Sequence, residues 1–283
     1  MNCLVTGGAG FIGTNLIKKL LDDGHKVFSI DNYSTGRKEN EQDGCRYFNL
    51  DLQTSSLHID EMCIVTGIDK LDVIFHLAAE VASIDYSFEN PYETLKTNID
   101  GTMKICDYAR KNDVRVVLAS SCAVTDGEDL NVYAYSKAKA EDICNFYNHF
   151  FNLGIGIVRF ANVYGYNQRT EGPYRSVISI FDECYLNEEP LPIRGDGNQT
   201  RDFIDVRDIC RGLIKISNES SGTYRLGTGS SISINDIAEM YGLPTYNVPS
   251  REGESEVSQT DLSKNSFEFK TKHTIKEWID NLK

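Results

Sequence analysis

A chain of 283 residues, 40% hydrophobic and 25% charged, has the length and balance of a globular protein with a sizeable core. Its net charge of -13 disfavours nucleic acid and anionic membrane surfaces as partners, so an anionic ligand must be met by local basic groups. Eight cysteines without a CxxC pair or metal-like spacing point to scattered thiols in a reducing compartment and to no metal site. No apolar run approaches membrane-spanning length and no basic leader precedes Cys3, so the expectation is a cytoplasmic protein.

Short β-rich runs alternate with longer amphipathic ones. "NCLVTG" precedes a helix over Phe11 to Asp23; "KVFSID", "CRYFNLD" and "DVIFHLAA" follow, then a helix over Tyr92 to Asn112. "RVVLASS", a helix over Ala134 to Asn152 and "GIGIVRFANVYG" complete the series. Nearly continuous apolar strands in a βαβ series predict an α/β fold, a Rossmann-type doubly wound parallel sheet. After Asn167, glycine and proline become frequent and the segments shorten, as in "NEEPLPIRGDGNQ". The expected division is a dinucleotide-binding domain over 1–167, with a core strand and helix re-entering at about 200–216, and a smaller substrate lobe over 168–283 laid across the strand ends.

The first strand runs into "TGGAGFIG", where Gly7, Gly10 and Gly13 are spaced three apart and Phe11 and Ile12 open a helix. Glycines permit the tight turn and bring a pyrophosphate close to the helix N-terminus, whose N–H groups and dipole favour an anion. Asp31 ends the second strand, where a carboxylate accepts hydrogen bonds from an adenosine ribose. A 2'-phosphate about 4 Å from that carboxylate would cost roughly 4 kcal/mol per charge pair. The expected cofactor is therefore NAD rather than NADP, unless Arg37 swings in to compensate. Tyr133 and Lys137 lie four apart at the start of a helix, so one side chain can stand over the other.

The chain resembles the extended short-chain dehydrogenases, in particular the nucleotide-sugar epimerase/dehydratase group. The resemblance rests on "TGGAGFIG", "DNYSTG" (Asp31 to Gly36), "NLDL" (Asn49 to Leu52), "HLAAE" (His76 to Glu80) and "TNIDGT" (Thr97 to Thr102). It continues through Ser120–Ser121, the Tyr133/Lys137 pair, "RFANVYG" (Arg159 to Gly165), "GDGNQTRDFIDVRDI" (Gly195 to Ile209) and "SREGE" (Ser250 to Glu254). It implies that Asp31, Asn32, Ser34 and Gly36 hold the adenosine ribose side of NAD, that Asp51 and Leu52 border the adenine, and that Leu77, Ala78 and Ala79 run beside the cofactor. Asn98 would support the site from its helix.

By the same resemblance, Tyr133 takes a proton from a sugar hydroxyl, Ser121 binds the same oxygen and Lys137 assists. A phenol of ordinary pKa near 10 needs about 4 kcal/mol of extra anion stabilisation to act as a base at neutral pH. Lys137, the helix N-terminus and a cationic nicotinamide are expected to supply it. In related 4,6-dehydratases an Asp-Glu pair follows the serine position, but Cys122 and Ala123 stand here. The simplest remaining chemistry is NAD-dependent epimerisation at C4 of a UDP-linked hexose. The alternatives are a 4,6-dehydratase, which Glu80 keeps open, a uronate decarboxylase, or a non-catalytic dinucleotide-sensing protein.

The resemblance further assigns Arg201 and Arg251 to the substrate diphosphate, Asn162 to the nucleotide, and Ser258 to the space around the sugar's C2 substituent. Tyr133 comes only 12 positions after Ser121, about half the usual interval, which shortens the loop beside the sugar. The two long helices carry Leu95, Ile99, Ile105 and Ala109, and Ile143, Phe146, Tyr147 and Phe150, in a spacing that serves both the sheet and a partner. A homodimer through a four-helix interface is the expected assembly.

Overall fold

The computed structural model describes residues 1–53, 57–80, 84–124, 131–172, 175–250, 257–265 and 267–282. Its first six strands are β1 (Asn2–Thr6), β2 (Lys26–Asp31), β3 (Arg46–Asn49), β4 (Val73–His76), β5 (Arg115–Ser121) and β6 (Gly156–Phe160). Later come β7 (Asn162–Tyr164), β8 (Leu191–Arg194), β9 (Thr200–Arg201), β10 (Phe203–Asp205) and β11 (Gly222–Leu226). The short strands β12 (Ile232–Ser233), β13 (Thr245–Val248) and β14 (Val257–Ser258) complete the set among the described residues.

A seven-stranded sheet runs in the order β11-β6-β5-β4-β1-β2-β3 with every pairing parallel. Strand order reverses between β1 and β4, which opens a crevice at their carboxyl ends. Cys3, Leu4 and Val5 are fully buried, as is the whole of β4, because both faces of the sheet are covered. On one face, α1 (Phe11–Asp22) and α7 (Val206–Ile216) set Leu16, Ile17, Ile209 and Leu213 against Val5, Phe75 and Val117. On the other, α2 (Ile59–Thr66), α4 (Pro91–Asn112) and α5 (Val132–Phe151) bring Met62, Ile105 and Ala140 against Leu4, Ile74 and Val116. The short α3 (Ile84–Glu89) precedes α4. No helix of the described residues is long and apolar enough to cross a membrane.

A third core joins α6 (Val177–Leu186), α8 (Ile234–Tyr241) and α9 (Ile275–Asp280) through Phe181, Ile237, Trp278 and Ile279. At its centre Asp182 accepts from Tyr241 Oη at 2.6 Å, Trp278 Nε1 at 3.1 Å and Gln168 Nε2 at 2.6 Å, while burial pushes its carboxyl above the usual range.

The run "GIGIVRFANVYG" is two strands, not one. At Ala161 the backbone leaves the main sheet after donating to Leu226 O, and Asn162 N turns to Asp202 O, so β7 pairs with β10 instead. The seventh main-sheet strand is β11, later in the chain than the 200–216 segment. Of the apolar positions on the two long helices, Ile105 and Ala109 enter the core, Leu95, Ile99, Ile143 and Tyr147 are half-buried, and Phe146 and Phe150 face outward.

Candidate active site

A cavity of about 580 Å³ occupies the crevice at the ends of β1, β4 and β5. Gly7 turns out of β1 with φ +74°, and a Cβ there would lie 2.8 Å from Ala78 N. Only glycine lets the first turn pass beneath the Leu77–Ala79 backbone, all three residues of which line the cavity. At Gly13 a Cβ would stand 2.1 Å from Gly7 O, so the helix packs directly on the turn. Gly10 caps α1 without a side-chain hydrogen bond and the first helical turn carries no acid. Gly10, Phe11, Ile12 and Gly13 line the cavity there, and the N-terminal N–H groups of the helix favour an anion.

Asp31 is buried at the end of β2 and lines the same cavity. Its carboxylate accepts from Ala9 N at 2.9 Å and Tyr33 N at 2.8 Å, so it shapes the glycine turn as well as the ribose side. Gly36 lies behind it rather than on the cavity wall, where a Cβ would be 2.9 Å from Asp31 Oδ1. Asn32 Nδ2 donates to Asp51 Oδ2 at 3.0 Å, and Asn32 Oδ1 accepts from Ser34 N at 3.0 Å. Asn32, Ser34, Asp51 and Leu52 all reach the cavity. Asn98 does not; it accepts from Glu80 N at 2.8 Å, donates to Ser136 Oγ at 2.8 Å, and so ties the strand end after β4 to α5.

Across the cavity, Asn131 caps α5 by accepting from Ala134 N at 2.9 Å, which fixes where Tyr133 enters the site. Ser121, at the end of β5, and Tyr133 stand together on the cavity wall, and the serine Oγ accepts from Ala123 N at 3.1 Å. Burial pushes the phenol up to about 12, with Ser121 pulling the other way and Cys122 adding to the rise. In the chain alone desolvation prevails. Lys137 is buried, and its Nζ donates to Ala119 O at 3.1 Å while standing 6.0 Å from the centre of the Tyr133 ring. Burial brings the lysine down to about 8 against the opposing pull of Glu141 and Cys144. The i, i+4 spacing thus places the ammonium under the ring and not on the phenol oxygen. Ser120 also borders the cavity, but its hydroxyl donates to Glu141.

Glu80 and Asn162 also line the cavity, and Asn162 Nδ2 donates to Asp202 O at 3.1 Å. Ser258 lies in register with Arg201 across β14 and β9, and its hydroxyl is 3.7 Å from Cys122 Sγ. Arg201 Nη1 donates to Thr200 O at 2.9 Å; neither it nor Ser258 is on the cavity wall. Arg251 lies outside the described residues.

The sequence profile described as "NAD dependent epimerase/dehydratase family" matches residues 3–227. The chain belongs to the NAD dependent epimerase/dehydratase family. A "Putative UDP-glucose 4-epimerase" of Methanocaldococcus jannaschii is 33% identical to it over 299 aligned positions, covering 98% of this chain and 95% of that one. The structure of the Thermotoga maritima UDP-glucose 4-epimerase with UDP-glucose superposes with a TM-score of 0.88 at 28% identity, covering 99% of this chain and 96% of that one. The Thermus thermophilus UDP-glucose 4-epimerase in complex with NAD gives a TM-score of 0.82 at 29% identity, covering 93% and 91%.

NAD, the cofactor of this family, fits the chain's own features: a glycine turn that admits no Cβ at Gly7 or Gly13, a helix start without side-chain cap or acid, and a carboxylate at Asp31. The sequence reading misses several cavity residues. Phe160, Ala161 and Val163 line it from the end of β6 onward, a position that the strand-end rule for open α/β sheets could have flagged. Gln168, Arg169 and Ser176 also reach it, from a glycine- and proline-rich segment whose pattern carries no such signal.

Proposed function

We propose that this chain epimerises a UDP-linked hexose at C4, with NAD as a resident cofactor and a 4-keto sugar as the transient species. The observation that carries this reading is the meeting of Ser121, Tyr133 and Lys137 on one cavity wall, with Cys122 and Ala123 in the two positions after the serine. NAD, when bound, takes up a hydride from the sugar carbon and returns it. Tyr133 holds and moves the proton of the sugar hydroxyl, and Ser121 donates to the same oxygen as it becomes a carbonyl. Lys137, at about 8, is mainly an ammonium at neutral pH, and its charge beneath the ring favours the Tyr133 phenolate against the cost of burial. Neither Cys122 nor Ala123 is a carboxylic acid that could eliminate water, so reduction back to the alcohol is the open route.

UDP-sugars are brought to this chain by the names of its relatives, and Asn162, Arg201 and Arg251 are the residues assigned to the nucleotide diphosphate. In this reading residues 1–167 with the re-entrant segment hold NAD, and 168–283 hold the sugar nucleotide. The outward Phe146 and Phe150 support a two-fold homodimer through α4 and α5. The eight free cysteines suit a reducing cytoplasm. A second reading, 4,6-dehydration, is favoured by Glu80 on the cavity wall.

The test is to incubate NAD-loaded protein with UDP-glucose, UDP-galactose, UDP-N-acetylglucosamine and UDP-glucuronate and identify the products by NMR. C4 epimers, lost when Tyr133→Phe is used with its NAD content intact, support the proposal. Loss of water or of carbon dioxide assigns a dehydratase or decarboxylase, and no product with NAD bound assigns a dinucleotide-sensing protein.

A further inference from the structure

Among the described residues, the dinucleotide cavity is lined by four carboxylates, from Asp31, Asp51, Glu80 and Glu93, and by two cations, Lys137 and Arg169. A dinucleotide brings a diphosphate with two negative charges into this acidic surrounding, on a chain of net charge -13. The helix N-terminus alone offers about half an elementary charge. Lys137 is engaged elsewhere: it donates to Ala119 O and stands under the Tyr133 ring.

Arg169 reaches the cavity wall at the loop that follows β2. Its Nη2 donates to Thr35 O at 3.0 Å, within the same loop as Asp31 and Ser34. That loop is closed onto the glycine turn, since Arg37 N donates to Ala9 O at 3.1 Å and a Cβ on Gly36 would come within 2.9 Å of Ala9 Cβ. The guanidinium is therefore fixed beside the start of α1, where the glycines leave room for phosphate.

The segment that carries it is held by the small lobe and by α1. Gln168 donates to the buried Asp182 at 2.6 Å, the Ser179 hydroxyl donates to Arg169 O, and Asn15 Nδ2 donates to Tyr166 O at 2.8 Å. Asn167, at φ +63°, makes the left-handed turn that aims Arg169 back toward the sheet. The arginine is thus ordered by bonds that do not depend on any ligand, which lowers the entropy lost on binding one.

We propose that Arg169 is a cofactor-binding residue, a guanidinium that the small lobe delivers to the diphosphate of the dinucleotide opposite the N-terminus of α1. A guanidinium fork holds a backbone carbonyl and a phosphate oxygen at once, which a lysine ammonium does less well. The inference rests on NAD occupying this cavity and is independent of the C4 chemistry.

Full-length protein freed of co-purified dinucleotide is titrated calorimetrically with NAD, ADP and adenosine, as wild type, Arg169→Gln and Arg169→Lys. Arg169→Gln is expected to weaken NAD and ADP by roughly ten- to a hundredfold while leaving adenosine unchanged, with Arg169→Lys in between. Because the ADP-to-adenosine ratio is taken within each protein, a general loss of stability cancels. Equal weakening of ADP and adenosine would make Arg169 a loop brace and overturn the proposal, as would unchanged ADP binding. Weakened UDP binding to NAD-saturated protein with ADP unaffected would assign the cation to the sugar nucleotide instead, and would overturn it too.

Discussion

Ser120 Oγ lies 2.5 Å from Glu141 Oε1 in the interior, while the next residue, Ser121, lines the cavity together with Tyr133. Alternation along β5 sends two identical side chains to different tasks. Ser121→Ala is expected to lower kcat by about a hundred- to a thousandfold with the melting temperature unchanged. Ser120→Ala should do the reverse: Glu141 keeps its Arg159 partner at 2.7 Å but loses a buried hydrogen bond, a cost of about 1–3 kcal/mol, with kcat near wild type. Steady-state kinetics and urea unfolding of both variants decide the matter, and exchanged phenotypes would reverse the assignment.

Lys137 gives a pH signature. Its folded pKa of about 8 lies below the ordinary 10.5, so between those values the unfolded chain binds more protons and stability rises with pH. Below about 8 both states are protonated, and the buried ammonium weakens the fold by about 3 kcal/mol. Glu141, Cys144 and His76 share this electrostatic neighbourhood, and His76 is kept neutral by burial and by the lysine. The stability of wild type relative to Lys137→Met should climb from about pH 8 to about pH 10; a difference constant across that window rules the account out.

Asp31 has two roles that one substitution separates. Asp31→Ala strips a partner from two backbone N–H groups, of Ala9 and Tyr33, and should lower stability by about 1–3 kcal/mol. It should also narrow the preference for NAD over NADP by at least about tenfold, because the repelling carboxylate is gone. Fluorescence titration with both dinucleotides is the measurement. An unmoved ratio means that the carboxylate does not face the ribose.

The cofactor half of the site is legible in the sequence because short-range rules govern it. A strand, a glycine turn and a helix must follow one another, and Gly7, Gly13 and Asp31 fall where steric contact demands. The rest depends on distant segments. Arg169 meets a loop 134 residues earlier, and β11 joins the sheet from beyond the small-lobe strands. Helical spacing places Lys137 near Tyr133, but only the position of Ala119 O decides where the ammonium points, and only the packing around Tyr133 raises its pKa.

Ser258 stands one contact from the catalytic strand, 3.7 Å from Cys122 Sγ. A serine there leaves room that a tyrosine ring would fill, so UDP-N-acetylglucosamine is expected to be turned over at least as well as UDP-glucose. Ser258→Tyr should shift the ratio of kcat/KM toward the plain hexose by about tenfold or more. A wild type that strongly prefers UDP-glucose, or a ratio indifferent to the tyrosine, removes Ser258 from the specificity account.

Phe146, Phe150 and Phe151 are 50%, 64% and 47% exposed on α5, with Met103 of α4 41% exposed. Light scattering at micromolar concentration is expected to give the mass of two chains. Phe146→Glu with Phe150→Glu should give the mass of one while secondary structure by circular dichroism is retained. A wild type of single-chain mass ends the homodimer proposal.

The place of β11 at the margin of the sheet also bears on how the chain is made. Until Gly222–Leu226 leaves the ribosome, the Gly156–Phe160 strand has a neighbour on one side only, and its outer backbone N–H and C=O groups stand open. At ordinary translation speeds that interval is on the order of ten seconds. Through it the nascent chain carries an apolar strand edge of the kind that pairs with other chains, and only the arrival of Gly222–Leu226 closes it.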